Sequence, residues 1–370
     1  MESVAPLFGR RLAQARQIAG LSLRGLSEAL GGEPSHTMLA RYESGQAMPD
    51  GGVLSKIATV LKQPADFFFR AYEVEFSKLD FRKKAALSVK ERRSIEEKSR
   101  DFFARYLEIE ERLGIQHDYD PPFKGRTLTE VAEVEGFAAE LRDAIHWNLG
   151  TDPIPNLHQL LELKGIKVHE VDTDDQGFDG FSGEANGQPI VVLAKWLDRC
   201  VPRKRMTLAH ELAHVVLPIP KDLPEKKHEE LVKPFASAFL MPKESFVRMF
   251  GGKRSGVSMG ELLELKFYFG VSLQAIMMRA KNLELISPAI YQRFCILASK
   301  RGWRSKGGSE PGDERFVRPD DEGQLPETHG RFRQLVFRGV AEGAISSSKG
   351  AALLKAPLSE LRAGMQESFV

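Results

Sequence analysis

The stretch TLAHELAHVVL, Thr207 to Leu217, holds two histidines four residues apart, with a glutamate directly after the first. Met206, Leu208, Ala209, Leu212, Val215 and Val216 around them are apolar, and Pro202 and Pro218 bracket a helix over 202–217. Positions i and i+4 share a helix face, so His210 and His214 can offer both imidazoles to one metal ion. A buried helix needs partners for its polar groups, and a shared metal supplies them. Glu211 stands where a carboxylate can take a proton from a water on that metal. Cys200 and Cys295 are the only cysteines, so a four-cysteine site is excluded and a metal must rest on His and Glu. Such a set leaves a position for water. Cys200, just before the helix, reads as a buried thiol and not as a ligand.

A third ligand is required, and HEELVKPFASAFLMP, His228 to Pro242, offers His228, Glu229 and Glu230. A helix here buries Val232, Phe235, Ala236, Phe239 and Leu240. Glu229 lies three residues before Val232 and seven before Ala236, so it points inward, whereas Glu230 aligns with Lys233, Pro234 and Ser237 on the outer face. Geometry ranks Glu229 first, His228 second and Glu230 last. Pro234 is expected to kink this helix.

Around these motifs the pattern predicts helices over 128–149 and 154–163, a strand over 166–171, and a hairpin of 178–185 and 189–194 about Asn186-Gly187. Further helices are expected near 229–249, 258–267, 272–283 and 287–301. The hairpin's edge, beside the metal helix, can hold an extended peptide by strand addition. Arg203, Lys204 and Arg205 read as a solvated cap or as groups that orient an acidic substrate.

Residues 1–75 show five short helical patterns. The third, about 35–44, buries Met38, Leu39 and Tyr42 and leaves Ser35, His36, Thr37 and Arg41 on its other face. These are side chains able to reach base edges in a major groove. Residues 1–75 carry eight Lys/Arg and eight Asp/Glu, and 76–113 carry eleven against eight. Phosphate contacts scale with the cations delivered, so one copy binds DNA modestly and a homodimer is the expected binding unit. Residues 76–113 read as one long solvated helix laced with i,i+4 charge pairs, whose aromatic half, Phe102, Phe103, Tyr106 and Leu107, is expected to dock on another element. Asp120-Pro121-Pro122 breaks the chain, 302–326 reads as a flexible linker, and a helical pair over 328–342 and 346–366 follows.

The whole chain has 370 residues, 42% hydrophobic and 28% charged, enough for two or three domains at roughly 100–200 residues each. It lacks an apolar run of about 18 residues, so no membrane helix is expected. Met1–Arg11 lacks the apolar core of a secretory signal, and the low cysteine count suits a reducing cytoplasm. A net charge of +2 exerts no bulk pull toward nucleic acid.

Two resemblances follow from these residues. The segment GLSLRGLSEALGG…MLARYESGQAMP, with Arg41-Tyr42-Glu43, Gly45 and Pro49, is similar to the DNA-binding domain of phage-repressor (XRE-type) regulators over about residues 6–70. The HELAH motif, Glu229 six residues before FASAFLMP, and ELLELKFYFGVSLQAIMMRAKNLELIS resemble the ImmA/IrrE family of metallo-endopeptidases fused to such a head. The resemblance implies an α+β, mostly helical chain. It comprises a five-helix helix-turn-helix domain (1–75), a helical linker (76–125), a zincin-like metallopeptidase domain with a small sheet (126–301), the flexible linker (302–326) and a helical C-terminal region (327–370). It implies Zn2+ on His210, His214 and Glu229, with Glu211 as catalytic acid/base. It also implies a double-stranded DNA operator and a repressor or antitoxin-like substrate, or the chain itself, cut after a signal. The alternatives are a non-proteolytic zinc- or peptide-sensing repressor and the antitoxin of a two-gene module.

Overall fold

The computed structural model describes residues 4–80, 87–116, 119–143, 145–303, 308–316, 327 and 330–365. By its contacts the chain divides into two units. Met1–Ser77, Lys84–His117 and Gly330–Val370 form one, and Lys78–Lys83 with Asp118–His329 the other.

In the first unit α1 (Val4–Ile18), α2 (Leu23–Ala29), α3 (His36–Glu43), α4 (Gly51–Val60) and a 3-10 turn over Ala65–Phe69 enclose a core that includes Phe8, Leu12, Leu26, Leu39, Tyr42, Ile57 and Phe67. The turn stands where a fifth helix was expected, because Phe67 and Phe68 both enter the core and Arg70 leaves extended. Ser22, Ser35 and Asp50 start α2, α3 and α4 by accepting the amides of Gly25, Met38 and Val53. α1 crosses α3 so closely that a Cβ on Gly9 would stand 2.6 Å from the Tyr42 carbonyl oxygen and 2.4 Å from that of Glu43, so only glycine fits. Arg16 then clamps Glu43 with two bonds of 2.6 and 2.8 Å.

The single helix expected over 76–113 is instead a strand, β1 (Phe76–Asp80), and α5 (Val89–Arg112). A capping box of Ser88 and Glu91 starts α5. Only its first turns are solvated. From Ile95 onward one side is buried, and Phe102, Phe103, Tyr106 and Leu107 dock there as their clustering predicts, so the helix is half-buried and not solvated throughout.

The second unit contains α6 (Val134–Arg142), α7 (Leu157–Leu163), β2 (Lys167–Val171), β3 (Gly180–Ala185), β4 (Gln188–Ala194), α8 (Val201–Val216), α9 (Glu225–Leu240), α10 (Lys243–Phe250), α11 (Met259–Phe269), α12 (Leu273–Asn282) and α13 (Pro288–Lys300). The sheet order is β1-β3-β4-β2, with β2 parallel and β3 antiparallel to β4. Asn186 (φ +49°) and Gly187 (φ +78°) make the hairpin turn with both central residues left-handed, which matches the strand twist. β1 lies outside β3, on the edge that the sequence offered to an extended peptide. α8 and α9 pack Leu208, Leu212, Phe235 and Phe239 into one core with Val191 and Leu193 of β4.

Several expected helices are shorter. The helix over 128–149 reduces to α6 behind a 3-10 turn at Val131–Glu133. The buried Arg142 guanidinium donates to the carbonyls of Gly150 (2.8 Å), Phe239 (2.7 Å) and Asp152, which turns the chain back on itself. α7 begins late because Asn156 caps it through the Gln159 amide at 2.8 Å. The span 229–249 splits at Met241-Pro242 into α9 and α10, since the residue before proline avoids helical geometry. Pro234 does not interrupt α9.

Within 302–326, the described acids Glu310 and Asp313 reach the fully buried Lys266 ammonium at 3.1 and 2.6 Å. Glu310 also accepts the Leu273 amide at 2.7 Å and so caps α12. The chain closes with α14 (Arg331–Ala341), α15 (Ser347–Leu354) and α16 (Leu358–Met365), three helices where two were expected. Leu335, Val336, Ile345, Leu353 and Leu361 pack on Tyr106 and Ile109 of α5. Beneath them Asp101 receives Arg70 (3.2 Å), Arg105 (3.1 Å) and Lys355 (2.8 Å). Burial pushes the Asp101 carboxyl up, but Arg105, Lys355 and Arg70 outweigh it and hold the group below the usual carboxylate range.

Candidate metal centre

α8 begins at Val201-Pro202, where the missing proline donor costs nothing, and runs through the core. One helical turn separates His210 from His214, and their Nε2 atoms stand 3.2 Å apart. α9 crosses α8 and brings Glu229 Oε1 to 3.5 Å from His210 Nε2 and 3.7 Å from His214 Nε2. Among the described residues this trio is the one set of metal-binding side chains whose ligand atoms all lie within 4.8 Å of one another. A tetrahedral zinc with bonds of about 2.0–2.2 Å places its ligand atoms roughly 3.3–3.6 Å apart. The two imidazoles and one carboxylate match that spacing, so the residues present fit the ion. The other oxygen of Glu229 pairs with Lys233 at 3.2 Å.

Of the two rival third ligands, Glu230 is exposed on α9. His228 is buried and stacks on His214, with ring centroids 5.1 Å apart and planes at 15°. It buttresses a member of the trio and is not part of it. Glu211, 4% exposed, points to the sheet, where Ser182 Oγ donates to its Oε2 at 3.0 Å. Gly180 keeps β3 near α8, since a Cβ there would stand 2.7 Å from the Val192 carbonyl oxygen and 3.3 Å from Thr207.

Ser182 escaped the sequence reading because its partner lies 29 residues away in another element. A signal was present: a buried carboxylate in an apolar helix needs a donor, and Ser182 is the hydroxyl of the adjoining hairpin strand.

The basic run before the motif also differs from expectation. Only Arg203 is exposed, paired with Asp179 at 2.9 Å. Lys204 is fully buried between Glu170 (2.5 Å) and Asp198 (2.6 Å), and His158 Nδ1 lies 3.2 Å from Glu170. Burial raises the Glu170 carboxyl, but the His158 hydrogen bond and the Lys204 ammonium prevail and bring it down to about 2. Arg205 is buried against Glu327, whose other oxygen accepts the Leu157 amide at 2.9 Å. These cations hold α8 in place and are not a solvated cap. The Cys200 thiol is half-buried, pushed up by burial, and is not in the ligand trio.

In the first unit, α3 turns Leu39 and Tyr42 inward and leaves Ser35, His36, Thr37 and Arg41 exposed. Ser35 spends its hydroxyl on the Met38 amide (3.3 Å), while Arg41 has no partner among the described residues.

Comparison with known families agrees with this geometry. A model of a helix-turn-helix domain matches residues 7–66, and the peptidase M78 model, an IrrE N-terminal-like domain, matches residues 161–281. The second match contains α8, α9, β3 and every member of the trio. No curated protein matches the chain. No described helix is long and apolar enough to cross a membrane. The chain is thus a fusion of an N-terminal helix-turn-helix domain with a peptidase domain of the IrrE N-terminal-like kind.

Proposed function

We propose that the protein is a cytoplasmic transcriptional regulator that binds a double-stranded DNA operator as a homodimer and carries a zinc-dependent endopeptidase. Its substrate is a repressor or antitoxin-like protein, or the chain itself, cut in response to a signal. The observation that carries this reading is the trio His210, His214 and Glu229 with the buried Glu211 next in the chain. Zinc held there lowers the pKa of a water and polarises a peptide carbonyl. Glu211 accepts the proton of the attacking water and returns it to the leaving amine. Ser182 fixes the Glu211 carboxylate, and His228 backs the His214 ring. In the head, Arg41, His36 and Thr37 read base edges, and Ser35 sets the start of the reading helix.

The test compares protein fragments in cells carrying wild type or Glu211→Gln. A protein cut only in the wild-type cells is expected. Identical fragment patterns and identical phenotypes would overturn the enzyme.

A further inference from the structure

The strand that supports Glu211 also has an outer edge, and the chain covers that edge itself. On β3 alternate side chains share a face. Gly180 faces Thr207 of α8, Ser182 faces Glu211, and Glu184 comes next on the same face. The Lys78 ammonium of β1 pairs with Glu184. An edge strand of this kind, beside a peptidase's catalytic glutamate, presents the N–H and C=O row that an extended peptide joins.

Two features mark the covering segment as more than a connection. Lys78–Asp80 groups with the unit of the sheet, whereas the described chain before it, up to Ser77, and α5 after it group with the other. The chain is back in the first unit for α5, so this segment is a short excursion onto the sheet. Lys78 also holds φ +51° inside a strand, a left-handed conformation that residues with a Cβ disfavour and that surrounding contacts must impose.

We propose that Lys78–Asp80 is a resident peptide ligand of the peptidase unit, keeping the place of a substrate strand on the edge of β3. An incoming extended peptide must evict it. The identity of the visitor as a substrate rests on the peptidase reading above, but the docking itself requires no cleavage. A tethered strand competes at an effective concentration on the order of millimolar, so free peptide binds the intact edge weakly.

The experiment uses the full, zinc-loaded chain in a Glu211→Gln background, so binding is read without hydrolysis. The probe is a fluorescein-labelled synthetic peptide of residues 74–84, titrated by anisotropy. Lys78→Pro excludes φ +51° and removes the ammonium from Glu184. It should bind the peptide about 10-fold or more tightly than the parent. Lys78→Glu leaves the backbone intact, opposes Glu184 with a like charge, and should give a smaller gain in the same direction. It carries the test if Lys78→Pro fails to fold by circular dichroism. Equal affinity in parent and variants, or no binding to any, overturns the proposal and leaves the peptidase reading standing. Absence of proteolysis in cells would have the reverse effect.

Discussion

The two chemistry-bearing helices, α8 and α3, are built on opposite terms. α8 lies in a core, and its principal polar groups are answered there: His210 and His214 by Glu229, Glu211 by Ser182, Lys204 by Glu170 and Asp198. α3 buries one side and leaves the other bare, with Arg41 unpartnered among the described residues. A reacting centre must be organised before substrate arrives, because orientation is part of the rate. A base-reading face must stay uncommitted, because its partners come with the DNA. The difference teaches what each site can lose: the first depends on contacts already made within the fold, the second on contacts that only a partner can bring.

The largest expected break is Glu211→Gln, which should lower proteolysis by about 100- to 10,000-fold while zinc content and fold persist. A variant still active within a few-fold of wild type would detach the reaction from Glu211. Next, metal analysis of protein purified without chelator should find about one zinc per chain in wild type and none in the His210→Ala/His214→Ala double variant, with a lower melting temperature. Zinc retained by the double variant would place the ion elsewhere. In the head, Arg41→Ala should weaken specific operator binding by roughly 1–3 kcal/mol and leave binding to random DNA nearly unchanged. Equal loss on both would make Arg41 a phosphate contact.

Finer effects sharpen the contrast. Ser182→Ala should cut kcat about 10-fold with KM nearly unchanged, and Ser182→Thr should recover much of it, as expected of a positioning residue. The smallest effect concerns acid. Glu170 is depressed in the folded protein to about 2, so its contribution to stability is complete above the unfolded carboxylate range and fades as pH falls toward that value. Melting temperatures between about pH 5 and pH 2 should therefore fall less steeply for Glu170→Gln than for wild type. Parallel curves would remove the Glu170–Lys204–His158 network as an acid-sensitive element.

What the sequence disclosed followed local periodicity. His210, Glu211 and His214 share one helical turn, and the phase of the apolar positions of α9 turned Glu229 inward. Both are short-range facts that a spacing reveals. The exposure of Ser35, His36, Thr37 and Arg41 was legible for the same reason. The rest depended on partners distant in the chain. Ser182 meets Glu211 across 29 residues, Arg142 ends α6 by collecting the carbonyl of Phe239, 97 residues on, and Lys266 finds Glu310 and Asp313. β1 was hidden because a five-residue strand in a charged stretch has too few alternations to register. The docking half of α5 was legible in Phe102, Phe103, Tyr106 and Leu107, but its partners Leu335, Val336 and Leu361 lie far along the chain and were not.

The Asn186-Gly187 turn carries a consequence for the protein's chemical ageing. Both residues are exposed and hold the left-handed geometry that the tight hairpin demands. Asn-Gly is also the dipeptide in which the following amide most readily attacks the asparagine side chain, through a succinimide that opens mainly to isoaspartate. The product threads an extra backbone atom through the turn. Because β3 and β4 are paired from Ala185–Gln188 onward, the insertion strikes the register at its origin. A stored sample can therefore keep its helices and both histidines and still lose the alignment of Ser182 with Glu211. Asn186 is in this sense a clock set in the hairpin that carries Ser182, and it runs whether or not the protein is used.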